Sequence, residues 1–259
     1  MAAADLDGPL VDFYRRTKQL REVMVAIESA SKKQGQLTTS RQDVDLAQID
    51  GQTENTTNAM ALVFLAASFE EFVREVAIQC GNYLTERYAS LALPTRHAIR
   101  DAYWQATRDR LRFTKSVLVN KTPDPALLGQ VRSTLDALQG FVVNDDASKL
   151  SSAVFAYHSN NFRPGVVEEI LGRLGIGKLL SSMAENSKLK AHFGVTKKED
   201  CERQLRAKWN EFYEHRNRTV HSLGGASGYA VDAVVAYLVF FELIADSMKV
   251  TLARTISTW

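Results

Sequence analysis

The sequence predicts an all-α fold, a bundle of about four long helices with shorter helices inserted between them. Three observations predict it. Apolar residues recur at helical spacing along several long segments. Only five prolines occur in 259 residues, and none interrupts the longest of those segments. The one strand-like run, the β-branched and aromatic Val234–Phe241, has no partner strand elsewhere and lies inside a longer periodic segment.

The elements follow in order. Leu10–Ser31 carries Leu10, Val11, Tyr14, Leu20, Val23, Ile27 and Ala30 at spacings that approximate one helical stripe. Gln34–Thr53 is polar, contains Gly35 and Gly51, and reads as a loop. Thr56–Tyr88 is the strongest helix, with Thr56 or Thr57 as its cap and Leu62, Leu65, Phe69, Phe72, Val76 and Ile78 on one broad face. Pro94 opens a helix expected to run to about Asn120, since proline suits a first turn. Lys121–Pro125 separates it from a short helix at Ala126–Leu138, ended by Gly140. Asn144-Asp145-Asp146 forms a turn before another short helix at Ala147–His158.

Ser159–Gly165 reads as a loop, and Pro164 starts a helix through Leu174. Thr196, with Glu199 three residues on, forms a capping box for a long charged helix at Lys197–Val220. Leu223–Gly228 is a Gly/Ser loop, and Tyr229–Ile256 is a last helix, apolar nearly all round. The whole chain, residues 1–259, reads as a single all-α domain with a helical insert at roughly 121–195.

Composition narrows the function classes. The chain is 45% hydrophobic and 24% charged, which excludes disordered, collagen-like and mucin-like classes. A net charge of +2, from 32 basic and 30 acidic residues, is too balanced for a cationic coat on nucleic acid. Local imbalance remains: nine Lys/Arg against five Asp/Glu over 187–218, and six against two over 96–115. Each stretch is either a solvated helix face or one basic face.

Cys80 and Cys201 form no disulfide framework, so a cytoplasmic location is expected. The first residues, MAAADLDGPL, carry no basic region followed by an apolar run, so no signal peptide is expected. The most apolar stretch, Ala230–Ala245, is shorter than the ~20 residues of a membrane span. It also contains Asp232 and Glu242, so no membrane partner is expected.

Several motifs fail on inspection. Gly172–Lys178 spells the start of a phosphate loop, but Leu179 stands where a Ser or Thr would hold magnesium, and a helix precedes it instead of a strand. Glycine ending a helix is the better reading. None of the five histidines (His97, His158, His192, His215, His221) sits in a metal-ligand array, and no nucleophile elbow appears. Neither metal nor cofactor is expected. Glu70 and Glu71 point roughly 100° apart on a helix, so they form no dyad by themselves.

The constellation that carries chemistry is Arg216-Asn217-Arg218-Thr219-Val220-His221, at the end of the charged helix. Asn217 and His221, four apart, share a face, and Arg216 lies beside Asn217. An arginine, an amide and an imidazole suit RNA cleavage without metal. The imidazole exchanges protons with a ribose 2′-hydroxyl or a leaving 5′-oxygen, because imidazoles titrate near neutral pH. The guanidinium holds the scissile phosphate. One histidine is short of an acid–base pair, and a symmetric dimer would supply the second. The alternative is a pair of solvated residues at a helix end.

Arg-Asn-x-x-x-His near the end of a penultimate helix, with a long apolar helix after it, resembles the HEPN domain. Ala66-Ala-Ser-Phe-Glu-Glu-Phe72 resembles its RiboL-PSP-type branch, as do Asn161-Phe-Arg-Pro164 and Ile170-Leu-Gly-Arg-Leu-Gly175. The resemblance implies an all-α bundle, usually a homodimer, whose paired motifs share a cleft. Many members are metal-independent endoribonucleases that act as toxins or antiphage effectors. Carried over, Arg216 and His221 are the catalytic pair, Asn217 the polar residue beside them, and Glu70 or Glu71 a supporting acid. The expected partners are RNA (tRNA or mRNA), a second copy of the chain, and an antitoxin or defence-system protein.

One position departs from the pattern. Toxins paired with a nucleotidyltransferase antitoxin often carry a modifiable tyrosine two residues after the histidine, where this chain has Leu223. The alternative function is a catalytically silent module that binds RNA or protein. Arg206, Lys208 and Arg218 are the expected RNA-binding cations. Tyr103, Trp104, Trp209, Phe212 and Tyr213 suit either a bundle core or stacking on unpaired bases.

Overall fold

A computed structural model describes residues 4–33, 38–39, 45–111, 119, 124–221 and 229–259. Among them no strand occurs, and the fold is all-α. The helices are α1 (Asp7–Ser31), α2 (Gly51–Arg87), α3 (Leu93–Leu111), α4 (Pro125–Leu138), α5 (Ser152–Phe155), α6 (Pro164–Gly172), α7 (Leu179–Met183), α8 (Ser187–Phe193), α9 (Lys198–His221) and α10 (Val231–Ile256). The four longest of these are α1, α2, α9 and α10.

Several boundaries differ from expectation, each for a local reason. α2 begins at Gly51, five residues before Thr56, because Asp50 is the cap: its Oδ1 accepts from the Thr53 N–H at 2.9 Å. Thr56 and Thr57 are already helical and donate back to the carbonyls of Gln52 and Thr53 at 2.9 Å each. Gly140 does not end the chain's helical course. α4 is capped at its start by Asp124 and runs on into a π-helical turn, Gln139–Val143. A Cβ at Gly140 would collide with the Lys149 side chain, so the glycine makes room for the returning Lys149 stem.

The helix expected at Ala147–His158 is broken. Asp146 caps a short turn at Ala147–Lys149, and Ser151 is extended before α5. The phosphate-loop look-alike is a helix end: Gly175 has φ +80°, and the Ile176 N–H donates to the Leu171 carbonyl at 3.1 Å. Arg173 within it is buried and donates to the carbonyls of Phe155 (3.0 Å) and Tyr157 (2.6 Å). The tail of the helix expected to reach Asn120, most of residues 34–44, and Leu223 with its loop lie outside the described residues.

The chain divides into two compact units. The first, here the insert unit, comprises 1–7, 73–182 and 248–259; the second, the motif unit, comprises 8–72 and 183–247. The expected insert at 121–195 is thus shared between them, most of it in the first.

In the insert unit, Tyr103 packs edge-on against Phe141 (5.0 Å between centroids) and Phe155 (5.3 Å), and Tyr88 against Phe141 (5.2 Å). Asp145, at φ +56°, accepts from the Tyr88 hydroxyl at 2.7 Å and pairs with Arg96 and Arg100. Burial pushes the Cys80 thiol up to about 12, which makes it a core residue and not a nucleophile.

The motif unit is built on an aromatic cluster. On α9, Cys201, Leu205, Trp209 and Phe212 recur at spacings of four, four and three, and all are buried. Trp209 meets Phe69 of α2 edge-on at 5.2 Å, and Phe212 meets Phe241 of α10 at 4.5 Å. Phe13 of α1 closes the cluster against Phe72 at 5.4 Å. One carboxylate inside the apolar last helix, Glu242, has a structural use. Glu242 accepts from the Thr17 hydroxyl at 2.7 Å and pairs with Arg21 at 3.1 Å. Among the described residues, no helix is long and apolar enough to cross a membrane.

Candidate active site at the end of α9

The last two turns of α9 hold the site, and the aromatic core fixes where they stand. Arg216 follows Trp209 by seven residues, Phe212 by four and Tyr213 by three, so its stem continues the buried face. The side chain is half-buried, and its guanidinium turns toward the neighbouring amide: Nη1 donates to Asn217 Oδ1 at 3.2 Å. Its Nε is withdrawn from solvent and has no hydrogen-bond partner among the described residues. A half-buried guanidinium with a donor to spare can receive an anion's oxygen.

His221 is the last residue of α9 and is exposed. It leaves the helix about 40° from Asn217 and about 140° from Arg216, at 100° per residue. The structure therefore brings Arg216 and Asn217 into contact and sets His221 one turn beyond them on the solvent side.

The other predicted site residues fare differently. Glu70 and Glu71, on the α2 part of the same unit, are both half-buried and both engaged, and the aromatic contacts of Phe69 and Phe72 fix their turn of helix. Arg218 is exposed beside the motif. Arg206 is committed to Glu202 through Nε at 3.0 Å and Nη2 at 2.9 Å. Lys208 lies over the Phe240 ring at 5.1 Å with its Nζ 3.3 Å from His192 Nε2, and burial lowers its pKa. It stands about 12 Å along the axis from Arg216, at 1.5 Å per residue. The structure does not bring Arg206 or Lys208 into the motif. Of the aromatics, Tyr103, Trp209, Phe212 and Tyr213 are fully buried, while Trp104 is exposed. Among the described residues, no group of three or more His, Cys, Asp or Glu is placed to hold a metal ion.

The family described as RiboL-PSP-HEPN matches residues 18–253. The chain belongs to that family. No curated protein and no solved structure matches it. HEPN domains are helical and are often ribonucleases, in keeping with the all-α fold.

One neighbour of Arg216 escaped sequence reasoning. His215 is half-buried beside Arg216, and its Nδ1 stands 3.5 Å from the Tyr237 hydroxyl, which donates to Glu211 Oε1 at 2.9 Å. The Tyr229 ring lies against the imidazole at 5.4 Å, and Asn58 Nδ2 donates to the Tyr229 carbonyl at 2.8 Å. The Glu211–His215 spacing of four was a visible signal. Tyr237 and Tyr229 could be joined to it only in three dimensions. The cluster ties the end of α9 to the start of α10 and steadies the turn that carries Arg216.

Burial, and then the nearby Arg218, hold the His215 pKa below its ordinary value, while Glu211 and Glu214 oppose the shift. The unfolded chain then binds this proton at higher pH than the folded chain does. Stability falls as pH drops through the ordinary imidazole range near 6.5. His192, lowered by burial and by Lys208, has the same sign. Thermal midpoints measured from pH 7.5 down to about 5.5 should decline, and His215→Gln should flatten the slope. An unchanged slope would remove His215 as its source.

Proposed function

We propose that the chain is a metal-independent endoribonuclease that cleaves RNA by attack of a ribose 2′-oxygen on the adjacent phosphorus. Arg216 supports this reading most: its half-buried guanidinium is steered by Asn217 and its Nε has no partner among the described residues, one turn from an exposed imidazole. A phosphate oxygen at Arg216 would satisfy that donor and receive charge stabilisation as the phosphorus becomes pentacoordinate. His221 takes the 2′-hydroxyl proton as the 2′-oxygen bonds to phosphorus. The P–O5′ bond breaks, and the 5′-oxygen leaves with a proton from an acid. The products are a 2′,3′-cyclic phosphate and a 5′-hydroxyl.

One imidazole performs one of the two proton transfers. The proposed homodimer places a second α9 end across a two-fold axis, whose His221 performs the other. Glu70 and Glu71 act in support, on the helix that packs against α9 through Phe69 and Trp209. RNA, either tRNA or mRNA, is the substrate. The activity suits a cytoplasmic bacterial toxin or antiphage effector held in check by an antitoxin or defence-system partner.

The test is cleavage of end-labelled RNA in EDTA by the wild-type chain and by His221→Ala. Wild type should cleave, and the variant should be slower by about 100- to 10,000-fold, the usual share of a general acid–base group. Equal rates for the two proteins would displace the site from His221. A folded wild-type dimer that binds RNA without cutting it would favour the silent binding module.

A further inference from the structure

The insert unit carries a groove of its own. Two contiguous cavities of about 370 Å³ and 690 Å³ lie along one side of α4. They share Gly129, Ser133 and Ser151. Three cations line them, Arg110 from α3, Arg132 from α4 and Lys149 from the turn before α5, against one carboxylate, Asp136. Most of the remaining lining is short hydroxyl, amide and small side chains, with Val154 as the one larger apolar residue. Pockets for small apolar ligands are lined the other way, mostly by hydrophobic and aromatic groups.

A second observation concerns Gly129. It sits in the interior of α4, where glycine costs about 1 kcal/mol against alanine. Gly81 and Gly140 are accounted for by packing, since a Cβ at either would collide with Ser152 or Lys149. A Cβ at Gly129 would meet no atom of the described residues within 4 Å. A glycine that lines both cavities leaves the helix backbone accessible from the groove.

The Lys149 ammonium is positioned by its stem, which crosses Gly140, and Asp146 lies near it while capping the Ser148 N–H. From Ala126 to Ala137 the groove follows about 16 Å of helix. That length matches about four or five nucleotides of a stacked strand at roughly 3.4 Å each.

We propose that this groove binds the sugar–phosphate backbone of single-stranded RNA and gives the insert unit its role. Arg110, Arg132 and Lys149 neutralise phosphates, the serine hydroxyls donate to phosphate oxygens, and Gly129 lets the strand approach the helix. The inference rests on RNA being the ligand of the chain.

The test uses the full chain carrying His221→Ala, so that RNA stays intact, and a fluorescent single-stranded RNA read by anisotropy over a salt series. Gly129→Glu places a carboxylate in open space on a helix, where it favours folding and opposes phosphate. It should weaken binding tenfold or more, and Gly129→Ala, which adds one methyl group to the groove, should weaken it to a smaller but measurable extent. Arg132→Gln with Lys149→Gln should lower the slope of log affinity against log salt by about 1.4, or about 0.7 per lost contact. Circular dichroism checks that each variant is folded. If the parent binds RNA and these variants bind equally well with the same slope, the groove is overturned while the ribonuclease reading stands. If the parent does not bind RNA, both fall together.

Discussion

Trp209→Ala is expected to cost about 3–5 kcal/mol, the usual range for truncating a buried aromatic. Trp209 is fully buried, meets Phe69 edge-on at 5.2 Å and Phe241 at 6.1 Å, and lies at the middle of the buried face of α9. Whole domains are stable by only about 5–15 kcal/mol, so this one change removes a large share. Urea unfolding should show a lower midpoint with little change in slope. Cleavage should fail at temperatures where the wild type still works, because Arg216 continues the same face two turns on. A loss below about 1 kcal/mol would mean that the aromatic cluster does not hold α9.

Arg216→Ala is expected to lower the cleavage rate by about 100- to 1,000-fold, the usual cost of one donor aimed at developing charge. The fold should survive, because the side chain is half-buried and its hydrogen bond to Asn217 is local. Arg216→Lys separates charge from geometry. Lysine keeps the positive charge and loses the planar fork, so it should recover only a small part of the rate. Full recovery by lysine would reduce the role of Arg216 to a point charge, and full activity of the alanine variant would remove it from the site.

The long helices were legible because their burial repeats with the helical period. Leu62, Leu65, Phe69 and Phe72 on α2 are buried as their spacing requires. The adjacency of Arg216 and Asn217 at one helix end was legible too, since it is local. What sequence reading missed depends on groups brought from elsewhere. Asp50 displaced Thr56 as a cap because any of several Asp, Ser or Thr residues near a helix start can accept the same N–H. Gly140 looked like a stop signal and proved to be a clearance for Lys149, nine residues later. Tyr237 reads as one more apolar residue of α10, yet its hydroxyl meets Glu211 and His215. Arg206 and Lys208 looked like free cations in a basic run, but their carboxylate, imidazole and ring neighbours are a turn or an element away.

The chemistry of the RNA ends is the most direct test of the account. Wild-type chain incubated with RNA in EDTA should release a 2′,3′-cyclic phosphate on one fragment and a 5′-hydroxyl on the other, because the attacking oxygen is the ribose's own. A 5′-phosphate and a 3′-hydroxyl would mean that water attacks instead, which contradicts the role given to His221 and Arg216.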